Sequence, residues 1–235
     1  MLKLSSVSVA FKGLHVLEDL DLDVSEGQIL GILGPNGAGK TTLFNTINGN
    51  VVPASGEIRF RDAVINKKSV WDRSPLGISR TFQVPKPFHD MSVYENVLVA
   101  AHFARNGSFK EAKHRAAEAL EEAGLADKAD DKAGMLTLLD LKRLELAKAL
   151  SQDPDLLLLD EIAGGLTDQE CGELLRIIRA VHARSTTIVW IEHVLHVLVK
   201  AASELAVLYG GKIIERDTPD RILSNAKVQE VYLGV

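Results

Sequence analysis

Gly34-Pro35-Asn36-Gly37-Ala38-Gly39-Lys40-Thr41-Thr42 is the stretch on which the reading of this chain turns. Its first eight residues fit the pattern G-x-x-x-x-G-K-[ST], and each fixed position has a physical reason. Glycines let successive backbone N–H groups turn inward around a phosphate, where side chains would stand in the way. Lys40 offers a cation to the β- and γ-phosphates, and the Thr41 hydroxyl offers a ligand to Mg2+. Asn36, Gly37, Ala38, Gly39 and Thr42 complete the expected lining. The flanks agree. Residues 28–33 (QILGIL) form a short apolar run suited to a buried strand, and residues 40–47 suit a helix whose positive end faces the loop.

Working outward, residues 155–159 read as a second buried strand, and it ends in Asp160-Glu161. A carboxylate at the tip of a core strand is what Mg2+ coordination needs beside the loop threonine, so Asp160 is the expected metal partner. Glu161, one residue later, points to the other side of the strand, where it can polarise an attacking water as general base. Thr187–Ile191 is a third apolar strand, and His193 follows it at the matching edge, in reach of a γ-phosphate and the water. Gln83, after Ser79-Arg80-Thr81-Phe82, carries an amide that can reach Mg2+ or water and sense whether a γ-phosphate is present.

The rest of the chain fits around this frame. Residues 3–11 and 17–24 alternate apolar and polar side chains as half-buried antiparallel strands do, and 56–60 and 63–66 add two more after the turn residues Pro53, Ser55 and Gly56. From Val93 to about Leu150 the pattern turns helical: Phe109, Ala112, Ala116, Leu120 and Ala123 share one face, with Gly124 as a C-cap. A helix over 169–183 and a closing strand pair, 206–209 and 212–215 across Gly210-Gly211, restore the β/α alternation. The expected fold is therefore α/β, a P-loop core with an antiparallel β lobe and an inserted α-helical subdomain. Its core spans 1–83 and 151–235, and the insert spans 84–150.

Gross composition excludes several classes. With 235 residues, 46% hydrophobic and 25% charged, the chain has ordinary globular composition. Its net charge of −5 gives no basis for a nucleic-acid partner. No apolar run approaches the roughly 18 residues of a membrane helix, and the alternating N-terminus lacks the apolar region of a secretory peptide. The single cysteine, Cys171, reads as a packing residue and suits a reducing cytosol.

These motifs, in this order, resemble the ABC ATPases over essentially the whole chain. The most similar subfamily is the ATP-binding subunits of branched-chain amino-acid importers and their urea-importer relatives. The segments that carry the likeness are 12–50 with the preceding Phe11, 78–100 (ISRTFQVPKPFHDMSVYENVLVA), Ile191-Glu192-His193 and the C-terminal Val231-Tyr232-Leu233-Gly234. The resemblance makes 34–41 the Walker A loop, Gln83 the Q-loop, Leu156–Asp160 the Walker B strand with Glu161 as catalytic glutamate, and His193 the H-loop. It puts Phe11 against adenine, although an aromatic there could equally belong to the core. It implies ATP and Mg2+ as cofactors and a second ABC ATPase subunit, identical or different, as partner. It further implies two transmembrane permease subunits, with an extracytoplasmic solute-binding protein served indirectly. The implied location is cytoplasmic, peripheral on the inner face of the cell membrane.

The sequence departs from the family at the signature, usually L-S-[GY]-G-Q, which aligns with Leu136-Thr137-Leu138-Leu139-Asp140. In the family this loop reaches ATP held by the other subunit. Thr137 keeps a hydroxyl, Leu139 replaces a glycine that lets the backbone come close, and Asp140 either puts a carboxylate near a tetra-anionic nucleotide or caps the next helix. The site it completes is expected to be weakened, which implies an asymmetric pair of ATPase subunits. Ile162 replaces a common proline, and the D-loop reads Gly165-Leu166-Thr167 without an acid. Other readings of the same motifs are the ATPase of lipopolysaccharide export, a non-transport ABC ATPase and a regulatory subunit that binds ATP with little turnover.

Overall fold

The computed structural model describes residues 1–104 and 107–233, so Gly234 of the C-terminal motif lies outside the described residues. The chain divides into two compact units: Met1–Arg73 with Thr187–Val235, and Ser74–Thr186.

In the first unit, β1 (Leu2–Phe11) and β2 (Leu14–Val24) form an antiparallel hairpin that pairs Leu2 with Val24 at one end and Phe11 with Leu14 at the other, with register shifts between Leu4 and Val7, Val7 and Val9, and Val9 and Ala10. The two connecting residues, Lys12 and Gly13, both have positive φ, as the tightest hairpins require. Alternation, reset by an irregularity around Ser6 in β1 and Asp19 in β2, places Leu2, Leu4, Val7 and Val9 of β1, with Leu17, Leu20, Leu22 and Val24 of β2, in the interior. β4 (Ser55–Phe60) pairs with β1 and a short β5 (Ala63–Val64) with β4, giving an antiparallel sheet in the order β2-β1-β4-β5. β5 is shorter than expected because Ile65 leaves the strand and buries itself.

The same unit holds β3 (Ile29–Leu33), whose five residues are all buried. It runs parallel to β8 (Thr187–Ile191) on one side and β9 (Glu204–Tyr209) on the other, while β10 (Lys212–Asp217) returns antiparallel to β9 across Gly210-Gly211. A strand covered on both sides has no wet face, so the continuous apolar run replaces alternation. Helix α1 (Lys40–Asn48) follows β3, and α2 (Val70–Arg73) closes the first segment of the unit. The helices α7 (Leu195–Ala201), α8 (Pro219–Ser224) and α9 (Ala226–Leu233) belong to its second segment.

In the second unit, β6 (Ile78–Arg80) and β7 (Leu156–Asp160) run parallel, with Arg80 opposite Leu158. Among the described residues, the helices α3 (Val93–His102), α4 (Phe109–Glu122), α5 (Leu138–Leu150) and α6 (Asp168–His182) accompany them. α3, α4 and α6 begin with reciprocal capping boxes, Ser92/Glu95, Ser108/Glu111 and Thr167/Glu170. On α4 the expected face is buried at Ala112, Ala116 and Leu120, with Ala123 buried just beyond the helix. Phe109 is the exception. It is 52% exposed, because as the first helical residue it precedes the packed turns, and its ring meets that of His102 edge-on at the surface. Gly124, with φ of 69°, follows the C-cap residue Ala123 and ends the helix as expected.

Candidate functional site

The first unit carries Phe11, the phosphate loop and His193. Ile32 lies opposite Ile191 in the parallel pair β3/β8, so the loop after β3 and His193 after β8 leave the sheet at the same edge. At Gly34 a Cβ would sit 2.3 Å from the Leu208 carbonyl oxygen, so only glycine lets the chain turn out of β3 there. At Gly39 φ is 106°, and a Cβ would meet the Val16 carbonyl oxygen at 2.9 Å. Asn36 and Gly37 are exposed at the tip and Ala38 is buried beneath it.

Lys40 begins α1 and is buried, its Nζ donating to the Gly34 oxygen at 2.6 Å and the Pro35 oxygen at 3.1 Å. The ammonium is thereby folded over its own loop, inside the ring of backbone that a phosphate would fill. The N-cap of α1 is Gly39, which offers no side-chain cap, and the first turn has no acid, which leaves the positive end of the helix for an anion. Thr41 is exposed and Thr42 half-buried. The cradle that Cβ atoms would fill, the uncapped helix start and the inward lysine fit a polyphosphate, and the Thr41 hydroxyl fits a hard cation.

Arg73 fixes the other end of α1, and sequence reasoning missed it. Its fully buried guanidinium donates to the Thr46 oxygen at 2.7 Å, Ile47 at 2.6 Å, Ile65 at 2.6 Å and Lys68 at 2.9 Å. Burial lowers its pKa to about 10, so it stays charged at neutral pH. His193 is exposed, and its N–H donates to the buried carboxylate of Glu192 at 3.0 Å. Phe11, at the end of β1, is 47% exposed, so its ring is a surface rather than a core group.

The second unit carries Gln83, Asp160, Glu161 and the signature segment. Because β6 and β7 are parallel, Gln83 and the acidic pair leave the same edge. Asp160 is buried and ion-paired at 2.6 Å to Arg80, a partner that sequence reasoning did not supply. The backbone N–H of Asp160 donates to the Thr81 hydroxyl at 3.1 Å. Glu161 departs from strand geometry, with φ of 47°, and its carboxylate accepts from the Gln83 amide at 2.5 Å. The structure thus brings the two expected water-handling groups of this unit into contact.

The signature begins α5. Its N-cap is Thr137, whose hydroxyl accepts from the Asp140 N–H at 3.2 Å and donates to the Asp140 carboxylate at 2.8 Å. The alternative of Asp140 as cap is overturned, because Asp140 sits one turn inside the helix. Its carboxylate is buried against Lys128 at 2.5 Å and Arg143 at 3.5 Å. Burial pushes this carboxyl up, but the hydrogen bonds from Lys128 and Thr137 and the nearby cations hold it below the usual range. It therefore does not present the free negative charge that the bare sequence suggested. Leu139 is buried, whereas Leu138 is 45% and Met135 83% exposed. Ile162 is buried, and Thr167 caps α6.

Residues 17–164, more than half of the chain, match the family model described as ABC transporter. The chain belongs to the ABC transporter family. Among relatives, the high-affinity branched-chain amino acid transport ATP-binding protein LivG of Escherichia coli K12 is 34% identical over 249 residues, covering all of this chain and 98% of its own. The lipopolysaccharide export system ATP-binding protein LptB of the same organism is 31% identical over 229 residues, covering 97% of this chain and 95% of its own. A solved structure, the ADP conformation of an ATP-binding cassette of an ABC transporter, is 27% identical with a TM-score of 0.92, covering 100% of this chain and 99% of that one. The cassette is therefore a nucleotide-binding ABC ATPase subunit with the α/β P-loop fold. Among its described residues no helix is long and apolar enough to cross a membrane.

Proposed function

We propose that this cassette hydrolyses Mg–ATP to drive an importer of branched-chain or similar hydrophobic amino acids, or of a related small polar solute. The observation that carries hydrolysis rather than mere binding is the 2.5 Å contact between Gln83 and Glu161, which aims the carboxylate of a general base with the amide of a nucleotide sensor. The importer class is supported by the relatives' descriptions and their coverage of the whole chain.

In this reading 34–42 wraps the phosphates, with Lys40 turning from its own carbonyls to the β- and γ-oxygens, and Phe11 stacks on adenine. Thr41, Asp160 and Gln83 would hold Mg2+, which would supply charge neutralisation for the phosphates. Asp160 exchanges part of its pairing with Arg80 for that role. Water attacks the γ-phosphorus in line, Glu161 takes its proton, His193 steadies the γ-phosphoryl oxygens, and ADP and phosphate result. Catalysis is mainly positioning and electrostatic stabilisation.

The core comprises 1–83 and 151–235, and 84–150 is the subdomain through which motion reaches two permease subunits fed by a solute-binding protein. The cassette works on the cytoplasmic side of the membrane, head-to-tail with a second ABC ATPase subunit. The pair is asymmetric. Thr137 keeps the signature hydroxyl, while the exposed Leu138 side chain crowds the helix start that should approach the partner's ATP and the buried Leu139 stands where the family has glycine, so the site completed by this signature turns over slowly. With the Asp140 charge compensated by Lys128 and Arg143, the defect is one of access rather than repulsion. The LptB likeness favours a second reading, lipopolysaccharide export.

Two measurements test this. Deleting the gene should abolish ATP-dependent uptake of radiolabelled leucine, and the Glu161→Gln chain should fail to restore it. Unchanged leucine uptake with lipopolysaccharide accumulating inside would favour the second reading. ATPase should be weak for the purified chain alone, rise in the mixed pair, and rise further with Leu139→Gly. Strong hydrolysis by the isolated chain, unchanged on mixing, would refute the asymmetric pair.

A further inference from the structure

Lys142 lies on α5, five residues beyond the helix cap Thr137, and is buried, with 4% of its surface exposed. Lysine is seldom buried to this degree unless its ammonium has partners. Two of them are backbone carbonyls: Nζ donates to the Gln83 oxygen at 2.7 Å and to the Glu161 oxygen at 3.2 Å. These carbonyls belong to the two residues whose side chains meet at 2.5 Å. One ammonium therefore fixes both ends of the Gln83–Glu161 pair.

The backbone it holds is not one the chain adopts readily. Glu161 has φ of 47°, a left-handed conformation that β-carbon-bearing residues avoid unless surrounding contacts impose it. Lys142 supplies such a contact at the Glu161 carbonyl. One turn along the same helical face, Glu145 accepts from the Lys86 N–H at 3.0 Å and from Lys148 at 2.6 Å, and Lys148 donates to the Lys86 oxygen at 3.3 Å. α5 thus grips the segment 83–86 at both ends, and Lys142 extends the grip to the catalytic turn.

We propose that Lys142 is a positioning residue for ATP hydrolysis: through the Gln83 and Glu161 carbonyls it sets the direction of the Glu161 carboxylate. This rests on the hydrolytic reading of Glu161 given above. Because Lys142 is only about 7.5 Å along the helix from Thr137 at 1.5 Å per residue, any shift of α5 when its start engages the partner's nucleotide is passed to the glutamate of this subunit's own site.

The test uses the complex purified through an affinity tag on the full-length chain. Wild type, Glu161→Gln, Lys142→Met, Lys142→Gln and Lys142→Arg are compared by ATPase kinetics, by titration with a fluorescent ATP analogue, and by vanadate trapping of nucleotide. Loss of turnover in Glu161→Gln establishes the underlying reading; a wild-type complex that binds no nucleotide would remove that reading and this one together. Lys142→Met should lower kcat by at least about ten-fold and lose vanadate trapping, with analogue affinity and KM within about two-fold, the signature of an interaction needed only in the transition state. Lys142→Arg, which keeps two N–H donors on a fork, should recover at least about a third of wild-type kcat. Where Lys142→Met does not fold, Lys142→Gln, which stays polar but is too short to reach both carbonyls, carries the same comparison. With Glu161→Gln inactive, a kcat within about two-fold of wild type in the Met or Gln variant would overturn the proposal. So would a loss of affinity in proportion to kcat, or an Arg variant no better than Met.

Discussion

Replacing Arg73 by Met should be among the most damaging changes in the first unit, and the structure supplies the magnitude. The guanidinium is fully buried and satisfies four backbone oxygens at 2.6–2.9 Å, two of them in the last turn of α1. Met matches the stem but leaves those carbonyls without a donor, each costing about 1–3 kcal/mol when buried. Removing a buried charge and its desolvation cost offsets most of this, so the net loss falls at the low end of the four carbonyls' combined cost, about 3–5 kcal/mol. For a chain of this size that is a fall in Tm of roughly 6–20 °C. Arg73→Lys, which keeps a point charge but loses the fork, should recover only part of it. Thermal melts of the full chain, wild type against Arg73→Met and Arg73→Lys, read this directly. Saturating Mg–ATP should raise the Tm of whatever fraction folds, because the loop at the far end of α1 is untouched. A loss below about 1 kcal/mol in the Met variant, or a Lys variant as stable as wild type, would refute the reasoning.

Two further outcomes follow. The Asp140 carboxyl is held below its usual range in the folded chain, so its ionised form stabilises the fold above the unfolded value of about 4, and that contribution is lost as pH falls through the depressed value. Wild type should accordingly lose stability more steeply than Asp140→Asn between about pH 5 and 3 in denaturant titrations, and parallel curves would contradict the ion-pair account. At the phosphate loop, Gly34→Ala puts a methyl 2.3 Å from the Leu208 oxygen, whereas Gly37→Ala meets nothing within 4 Å and bears only the cost of φ at 80°. Gly34→Ala should destabilise by more than the roughly 1–2 kcal/mol expected at Gly37 and weaken nucleotide binding further; equal effects would count against the observed turn.

Much of this was legible in the sequence because it is locally encoded. β3, β7 and β8 are unbroken apolar runs that end in glycine or acid, and the observed strands fall on the expected residues to within one position at most ends. The loop at 34–41 needs its glycines for close approaches that the structure shows at Gly34 and Gly39. Long-range pairings left no such trace. β6 is three residues long and shows no period of its own; it exists by pairing with β7, some eighty positions later. Arg73, Arg80 and Lys142 are indistinguishable in sequence from surface charges, and only the fold reveals what each is buried against. At the start of α5 two good capping residues competed. The fold selects Thr137 because Lys128 and Arg143 draw the Asp140 carboxylate inward. Phe109 failed for a related reason: periodicity marks a face, but not where along the helix packing begins.

The central claim is that the glycine loop ending in Lys40 holds the phosphates of a nucleotide. It is tested most directly by titrating the folded full-length chain with a fluorescent ATP analogue and Mg2+, wild type against Lys40→Ala. Wild type should bind saturably, with competition by ATP. Lys40→Ala should lose about ten- to a hundred-fold in affinity, the equivalent of one charge-assisted hydrogen bond to phosphate. A folded wild-type chain with no measurable affinity, or a Lys40→Ala chain that binds as tightly as wild type, would contradict it.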